Sequence, residues 1–349
     1  LFTALAAAFL VTVFQSLAVA REIAPALDRF GRFAKVLLNV AIVAQFTRTR
    51  EEFLDFLLVL VAGVAINNFL PLVVAPPTEY QTTSLLWTEG VFRYEGFALE
   101  PNEFAMLQIF TIPLLIFLAV RYRRPWFARP LFVLLVAGSV LAIALSFSRG
   151  GFVSLVFLAF CLVVVERRNR WVAAAGVTLV AAAAILAPAV YWSRITSLVE
   201  AFTHLDEDFA VASRIMTMKT AIALGLRNPL FGVGIDNFIL HASRYVPFGL
   251  VVHNAPLQVF AECGLPALGL LVAIVVCNLR AARRLAREAD ADGRLLGRML
   301  LVQQLAVLFN AMFLPVAFEI TFWIALALPT IALAAWRRPA SAAPDPAGA

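Results

Sequence analysis

The chain has few charged residues and few cysteines, and each shortage excludes a class of protein. Asp, Glu, Lys and Arg make up only 14% of its 349 residues, whereas hydrophobic residues make up 62%. Soluble domains carry about 25% charged residues, so an ordinary soluble domain is excluded. The three cysteines have no metal-ligand spacing and cannot form an even disulfide framework, which indicates small core residues. Composition therefore predicts an all-α, polytopic membrane helix bundle.

Motifs for nucleotides and surfaces for nucleic acids are also missing. Gly232-Val233-Gly234 is not part of a GxGxxG pattern, and no Walker motif occurs. The formal net charge of +6 comes from arginines that suit anionic lipid headgroups, and no basic surface is interleaved with aromatic residues. We therefore expect membrane lipids but no nucleic acid as partners, and no cofactor.

Ten apolar stretches are candidate membrane spans, each of which needs roughly 20 residues to cross the membrane. They lie at 1–20, 34–46, 53–75, 103–120, 131–148, 151–165, 171–190, 255–279, 299–316 and 319–336. The second is short and flanked by Lys35 and Arg48, so it can be tilted, re-entrant or no span at all. The first apolar run has no Met and no basic region before it, which predicts that further spans precede it rather than that it is a signal peptide.

The arginines indicate which face of the membrane is cytoplasmic, because short cytoplasmic loops carry the excess of Lys and Arg. If the spans alternate, one face receives the Arg-rich stretches at 121–124, 167–170, 280–298 and 337–338. The basic residues in 21–35 are an exception, since alternation places them on the outer face. That outer face also receives the connections 76–100 and 191–252 and the turn 147–151, where chemistry is expected.

This reading divides the chain into four parts. They are a transmembrane bundle at 1–190 with its first outer loop at 76–100, a helical outer loop domain at 191–252, a second part of the bundle at 253–338, and a disordered tail at 339–349.

Two serine-arginine pairs begin helices on the outer face. Ser148-Arg149 precedes one helix, and Ser213-Arg214 precedes a helix that is predicted to end at Gly225. A helix start attracts anions, serine caps it well, and arginine can grip two phosphate oxygens. Each arginine taken alone can equally be an interfacial anchor. Together with a histidine, the two favour a site for a lipid-linked diphosphate.

His253 opens a third helix, for which Asn254 can serve as N-cap and Pro256 fits the first turn. The positive end of the helix and the two arginines are expected to lower the pKa of His253 and keep its ring neutral. A neutral imidazole can accept a proton. The alternative is that His253 only caps the helix or binds interfacial water.

The rest of the 191–252 connection offers a metal site as an alternative. Asp206 and Asp208 are one residue apart, and such a pair can hold Mg²⁺ or Mn²⁺ against a sugar diphosphate. Because 194–209 reads as an amphipathic helix, we interpret the pair as a solvated face and predict no metal. Gly232-Val233-Gly234 is interpreted as a flexible return, and 236–245 as a helix lying on the membrane or on a neighbouring helix.

Four segments on the outer face carry a family resemblance. They are Arg93-Tyr94-Glu95-Gly96-Phe97 leading to Pro101-Asn102; Phe147-Ser148-Arg149-Gly150-Gly151; Ser213-Arg214 with Gly225 and Asn228-Pro229-Leu230-Phe231-Gly232-Val233-Gly234; and His253-Asn254 with Glu262, Gly264 and Pro266. In this order they resemble the O-antigen ligase and polymerase superfamily of bacterial envelope glycosyltransferases. Ala267 departs from the ligase histidine motif, which prefers Gly, Thr or Tyr there.

The resemblance implies a metal-independent, GT-C-like, inverting glycosyltransferase of the bacterial inner membrane with a site facing the periplasm. The donor would be a glycan on undecaprenyl diphosphate, and the acceptor a hydroxyl of lipid A-core or a similar molecule. By matching position, Arg149 and Arg214 would stabilise the leaving diphosphate, and His253 would activate or orient the acceptor hydroxyl. The remaining substrate contacts would come from Arg93, Asn102, Asn254 and Glu262.

Other functions stay open at this point. A polysaccharide polymerase or a protein O-oligosaccharyltransferase of the same superfamily would differ only in its acceptor. A solute transporter is a different class and would place ionisable groups or broken helices near the middle of the membrane. The charged residues fall instead at the ends of the predicted spans, with exceptions such as Glu262 and Glu319.

Overall fold

The computed structural model describes most of the chain, and every structural statement below concerns the described residues. These are residues 1–74, 94–95, 100–166, 174, 176–178, 181, 185, 209–242 and 251–337. Arg93, Asp206, Asp208 and the predicted tail at 339–349 lie outside them.

The described part of the chain is mainly helical, and no strand occurs in it. They are α1 (Phe2–Ser16), α2 (Ile23–Phe46), α3 (Arg50–Val74), α4 (Pro101–Arg121), α5 (Ala128–Leu145), α6 (Arg149–Val165), α7 (Phe209–Arg227), α8 (Phe238–Ala242), α9 (Ala255–Glu288), α10 (Ala291–Ala311) and α11 (Ile320–Arg337). A 3₁₀ turn, Leu17–Val19, continues α1. The predicted all-α class is confirmed.

Six described helices are long and apolar enough to cross a membrane: α1 with its 3₁₀ turn, α3, α4, α5, α9 and α11. The apolar helix α6 is shorter, with 17 residues. The predicted count of ten spans is not confirmed, because polar side chains interrupt α2 and α10, the helices that contain two of the expected spans, α6 is short, and 171–190 is described only in part. The interrupting residues are Arg29, Arg32 and Lys35 in α2 and Gln303, Gln304 and Asn310 in α10.

The bundle is built around α4, whose side chains are almost all buried. It packs most extensively against α5 and α10, and less extensively against α6 and α3, which a pair of amides joins to α4. Asn68 Nδ2 donates to Gln108 Oε1 at 2.8 Å, and Gln108 Nε2 donates to Asn68 Oδ1 at 2.9 Å. Because each amide satisfies the other, the pair joins the two helices without leaving these buried atoms unpaired.

An aromatic cluster attaches α2 to the bundle although α2 is too polar to count as a span. The rings of Phe9, Phe33 and Trp323 lie 5.2–5.7 Å apart, and all three side chains are fully buried. Their edge-to-face and tilted arrangements are those that aromatic quadrupoles prefer. The cluster therefore ties α1, α2 and α11 together.

Three of the Arg-rich stretches meet at one end of the bundle, as expected for stretches that share a face. Arg50 and Arg121 both pair with Asp292, at 2.8 and 2.6 Å. Arg337 pairs with Glu288 at 3.1 Å. Since α4 ends at Arg121 and a helix of 21 residues is about 30 Å long, the first turn of α4 lies at the opposite end.

Candidate functional site

The second motif of the resemblance forms the start of α6. Ser148 has extended backbone angles, and its Oγ accepts a hydrogen bond from the Gly151 N–H at 3.0 Å. This confirms the predicted serine N-cap. Arg149 is consequently the first residue of the helix, where unpaired N–H groups and the helix dipole favour an anion.

The first motif meets the second through Asn102 in the first turn of α4. Glu100 caps α4 by accepting from the Asn102 N–H at 2.9 Å, and the Ser148 hydroxyl donates to Asn102 Oδ1 at 2.7 Å. The absence of a side chain at Gly151 permits this approach, because a Cβ there would lie 2.6 Å from the Cβ of Ala105. Asn102 thus holds the Ser148 turn in place.

The third motif differs from its prediction. Helix α7 begins at Phe209, so Ser213 and Arg214 lie inside the helix and Ser213 does not cap it. Gly225 does not end it either, since α7 continues to Arg227. The helix thus begins before the serine, and the helix-start argument for an anion site does not apply to Arg214.

The spacing of Arg214 and Gly225 still has a structural reason. Eleven residues are about three helical turns, which puts both on one face of α7. A Cβ at Gly225 would lie 2.5 Å from the ring of Phe260, so glycine at this position allows α7 to approach α9 closely. At its other end the same face brings Arg214 near His253, on which its charge acts.

His253 lies immediately before α9, and Asn254 fixes its position. The side chain of Asn254 caps the helix by accepting from the Leu257 N–H at 3.0 Å, as predicted, and it donates to the Met312 carbonyl at 3.2 Å. Burial, and secondly the charge of Arg214, lower the pKa of His253 to about 4. Its buried Nδ1 has no hydrogen-bond partner among the described residues. The imidazole is therefore neutral at physiological pH.

Three of the four motifs line one small cavity, which we call the arginine cleft after Arg214; Arg149 and His253 adjoin its segments without lining it. Its lining comes from the starts of α4 and α6, from α7 and from the end of α10 with the connection that follows, and consists of Asn102, Ser148, Gly150, Gly151, Arg214, Asn310, Phe313 and Leu314. No motif in the sequence indicated Asn310, Phe313 or Leu314, because a buried amide and two apolar residues carry no recognisable pattern. Asn310 donates to Ser154 Oγ at 2.7 Å, which joins α10 to α6 at the cleft.

The turn predicted as a flexible return is instead held firmly against a break in α9. Gly264 has φ +83° and Pro266 follows it, so the helical hydrogen bonds are interrupted. The N–H groups of Val233 and Gly234 donate to the carbonyls of Ala261 and Glu262 at 2.9 and 3.0 Å. The freed carbonyls need donors, and the turn supplies them.

Glu262 does not line the arginine cleft. It lies on a second cavity of about 270 Å³, which we call the acidic cavity, lined by Arg29, Glu103, Asp236, Phe238, Ile239, Val251, Val252, Gln258, Glu262, Pro315 and Glu319. Arg29 forms an ion pair with Glu319 at 2.8 Å. Arg29 is one of the basic residues in 21–35 that did not fit the alternation of the spans. Its ion pair gives it a role within the protein.

Metal ligands were considered in the sequence at Asp206 and Asp208, which lie outside the described residues. Within the described ranges, no three His, Cys, Asp or Glu side chains are grouped so that they could hold a metal ion. Arg93, which the resemblance names as a substrate contact, also falls outside them.

A comparison with protein families agrees with the motifs. The family model described as O-Antigen ligase matches residues 134–272, a range that contains Arg149, Arg214, His253 and Glu262. No curated protein matches the chain. Six spanning-length helices and this match indicate a membrane-embedded protein with a glycosyltransferase-like family domain. The match supports the assignment of the chain to the O-antigen ligase and polymerase superfamily.

Proposed function

We propose that the protein is a ligase that transfers a glycan from undecaprenyl diphosphate to an acceptor hydroxyl at the periplasmic face of the bacterial inner membrane. The observation that carries this proposal is the meeting of three separate motifs at the arginine cleft. That cleft lies at the end of α4 opposite the ionic cluster of Arg50, Arg121 and Asp292. Arginine-rich connections favour the cytoplasm, so the cleft would face the periplasm.

Arg149 and Arg214 would bind the diphosphate. Arg149 begins α6, where the helix dipole adds to its charge, and Arg214 lines the cleft beside Gly150 and Gly151. Negative charge grows on the diphosphate as its bond to the sugar C1 breaks, and cations already in place stabilise that charge without reorganisation. This arrangement needs no metal ion, so we expect the reaction to be metal-independent.

His253 would receive the proton of the acceptor hydroxyl. The acceptor oxygen attacks C1 from the side opposite the diphosphate, the C1–O bond to the diphosphate breaks, and the configuration inverts. A base with a pKa of about 4 is weak, but a bound diphosphate would offset the charge of Arg214 and raise the pKa of His253. The basicity of His253 would then increase when the donor is bound.

Asn102 and Asn254 would act as positioning residues. Asn102 accepts a hydrogen bond from the Ser148 hydroxyl, and Asn254 caps α9 and donates a hydrogen bond to the Met312 carbonyl. These bonds hold the residues on either side of the cleft, so their loss would disturb the site without removing a substrate contact.

A polysaccharide polymerase and a protein O-oligosaccharyltransferase would use the same chemistry on other acceptors. A transporter is favoured by one observation, the break in α9 at Gly264 beside the buried, ionisable Glu262. Broken helices in transporters leave backbone groups open for a substrate or an ion. Here the carbonyls of Ala261 and Glu262 accept instead from the turn at 232–234, which argues for an enzyme.

The test is a reconstituted assay that measures binding of the undecaprenyl-diphosphate glycan and its transfer separately. His253→Ala should abolish transfer and keep donor binding, whereas Arg214→Ala should weaken both, by about a hundredfold in rate. Arg214→Lys should retain only part of the donor binding and transfer, because an ammonium group cannot form the bidentate contact. Arg227→Ala, at the other end of α7, is the matched control.

Two results would contradict the proposal. Full transfer by His253→Ala would remove the histidine from the mechanism. Transfer that is lost in EDTA and restored by Mg²⁺ or Mn²⁺ would show that a metal ion, rather than the arginines, stabilises the leaving diphosphate.

A further inference from the structure

The acidic cavity is the neighbour of the arginine cleft. Two segments contribute adjacent residues to the two cavities, Glu103 beside Asn102 and Pro315 beside Leu314, and Val252 of the acidic cavity is adjacent to His253. The two cavities therefore share a wall made of the start of α4, the connection between α10 and α11, and the approach to α9.

Two buried side chains present unused hydrogen-bond acceptors in this cavity. Glu262 is 5% exposed and Gln258 is 8% exposed, and both line the cavity. Within the described ranges, neither Glu262 Oε2 nor Gln258 Oε1 has a hydrogen-bond partner. A buried acceptor without a partner is destabilising, so a ligand that donates hydrogen bonds here would recover that loss.

The charge of the cavity limits what that ligand can be. Glu103, Asp236 and Glu262 line it together with Glu319, and Arg29 is engaged by Glu319. A carboxyl-rich lining that is largely removed from water disfavours any further negative charge, so it excludes phosphate and carboxylate groups, and its oxygens accept hydrogen bonds from O–H and N–H donors. The volume of about 270 Å³ is close to the lower end of small-ligand sites, about 300 Å³.

We propose that the acidic cavity binds a neutral or amino sugar through its hydroxyl groups and forms the acceptor subsite of the protein. This inference rests on the proposed function, because the subsite lies beside His253 and across the shared wall from the diphosphate. Carboxylates on the acceptor side and arginines on the donor side would keep the anionic diphosphate out of the acceptor subsite.

The test measures binding of simple glycosides to the full chain in detergent, without any donor. Methyl glucoside and methyl glucosaminide should bind, and methyl glucuronide, which carries a carboxylate, should bind at least about tenfold more weakly. Glu262→Gln and Gln258→Leu should each weaken binding of the two favoured glycosides by about tenfold, because each substitution removes one buried hydrogen-bond acceptor. Glu288→Gln makes the same chemical change at the other end of α9 and should leave binding unchanged.

Asp236→Asn provides a second carboxylate variant in case Glu262→Gln does not fold, since Asp236 is exposed and lies in a turn. Arg214→Ala should leave glycoside binding intact and weaken only the binding of undecaprenyl diphosphate. This variant separates failure of the proposed function from failure of the acidic cavity. In the transfer assay, methyl glycosides should inhibit in competition with the acceptor and not with the donor.

Several outcomes would overturn the inference. They are wild-type protein that binds none of the glycosides, equal binding of methyl glucuronide, folded cavity variants that bind glycosides as wild type does, and inhibition that competes with the donor.

Discussion

His253 should stay neutral far below the pH at which a histidine normally gains its proton. Its pKa falls from 6.5 to about 4, which corresponds to about 3 kcal/mol at 1.36 kcal/mol per unit. At pH 5.5 a histidine with this pKa is about 97% neutral, whereas an ordinary one is about 9% neutral. The kcat/KM for the donor reports the free enzyme, so its loss on acidification should come below about pH 5.

The titration can be followed directly by NMR of the imidazole nitrogens, because the chain has only three histidines. A His253→Gln variant identifies the signal. Arg214→Ala should raise the pKa of His253 and still leave it below 6.5, because burial is the larger cause and remains. Added undecaprenyl diphosphate should raise the pKa in the wild type by offsetting the same charge.

The lowered pKa of His253 also makes the folded protein less stable as the pH falls. The unfolded chain takes up a proton at His253 near pH 6.5 and the folded chain only near 4, so acidification through this window favours unfolding by up to about 3 kcal/mol. A His253 signal that titrates near pH 6.5 in the donor-free protein would contradict the effect of burial, and an unchanged pKa after Arg214→Ala would contradict the effect of the Arg214 charge.

Three substitutions test the packing that positions the site. Gly225→Leu should destabilise the protein by about 1–3 kcal/mol and weaken donor binding, because the new side chain pushes α7 away from Phe260; thermal unfolding and donor titration measure this. Gly264→Ala should cost about 1–3 kcal/mol or more in unfolding free energy, because its φ of +83° suits only glycine. Gly269→Ala, with open space around it, is the control for both and should be tolerated. Ser148→Ala should cost about 1 kcal/mol in stability through the lost helix cap, and unchanged unfolding and transfer would count against the cap.

Features that depend on neighbours along the chain could be predicted from the sequence. The all-α class follows from apolar runs, and the N-caps at Ser148 and Asn254 follow from single side chains three residues from their partners. The same reasoning failed at Ser213, because α7 extends a turn further than its apparent capping signal. A cap preference of about 1 kcal/mol does not by itself determine where a helix begins.

The tertiary structure alone decided which of these residues meet. The bond from Ser148 to Asn102 and the ion pair from Arg29 to Glu319 join residues that are 46 and 290 positions apart, and no local pattern predicts such a pairing. Likewise, Glu262 was grouped by motif with the arginines, yet it lines a separate cavity together with residues of α2, α4 and α8. The sequence determined the residue types of the site through local chemistry, whereas the packing of distant helices divided them between an arginine cleft and an acidic cavity.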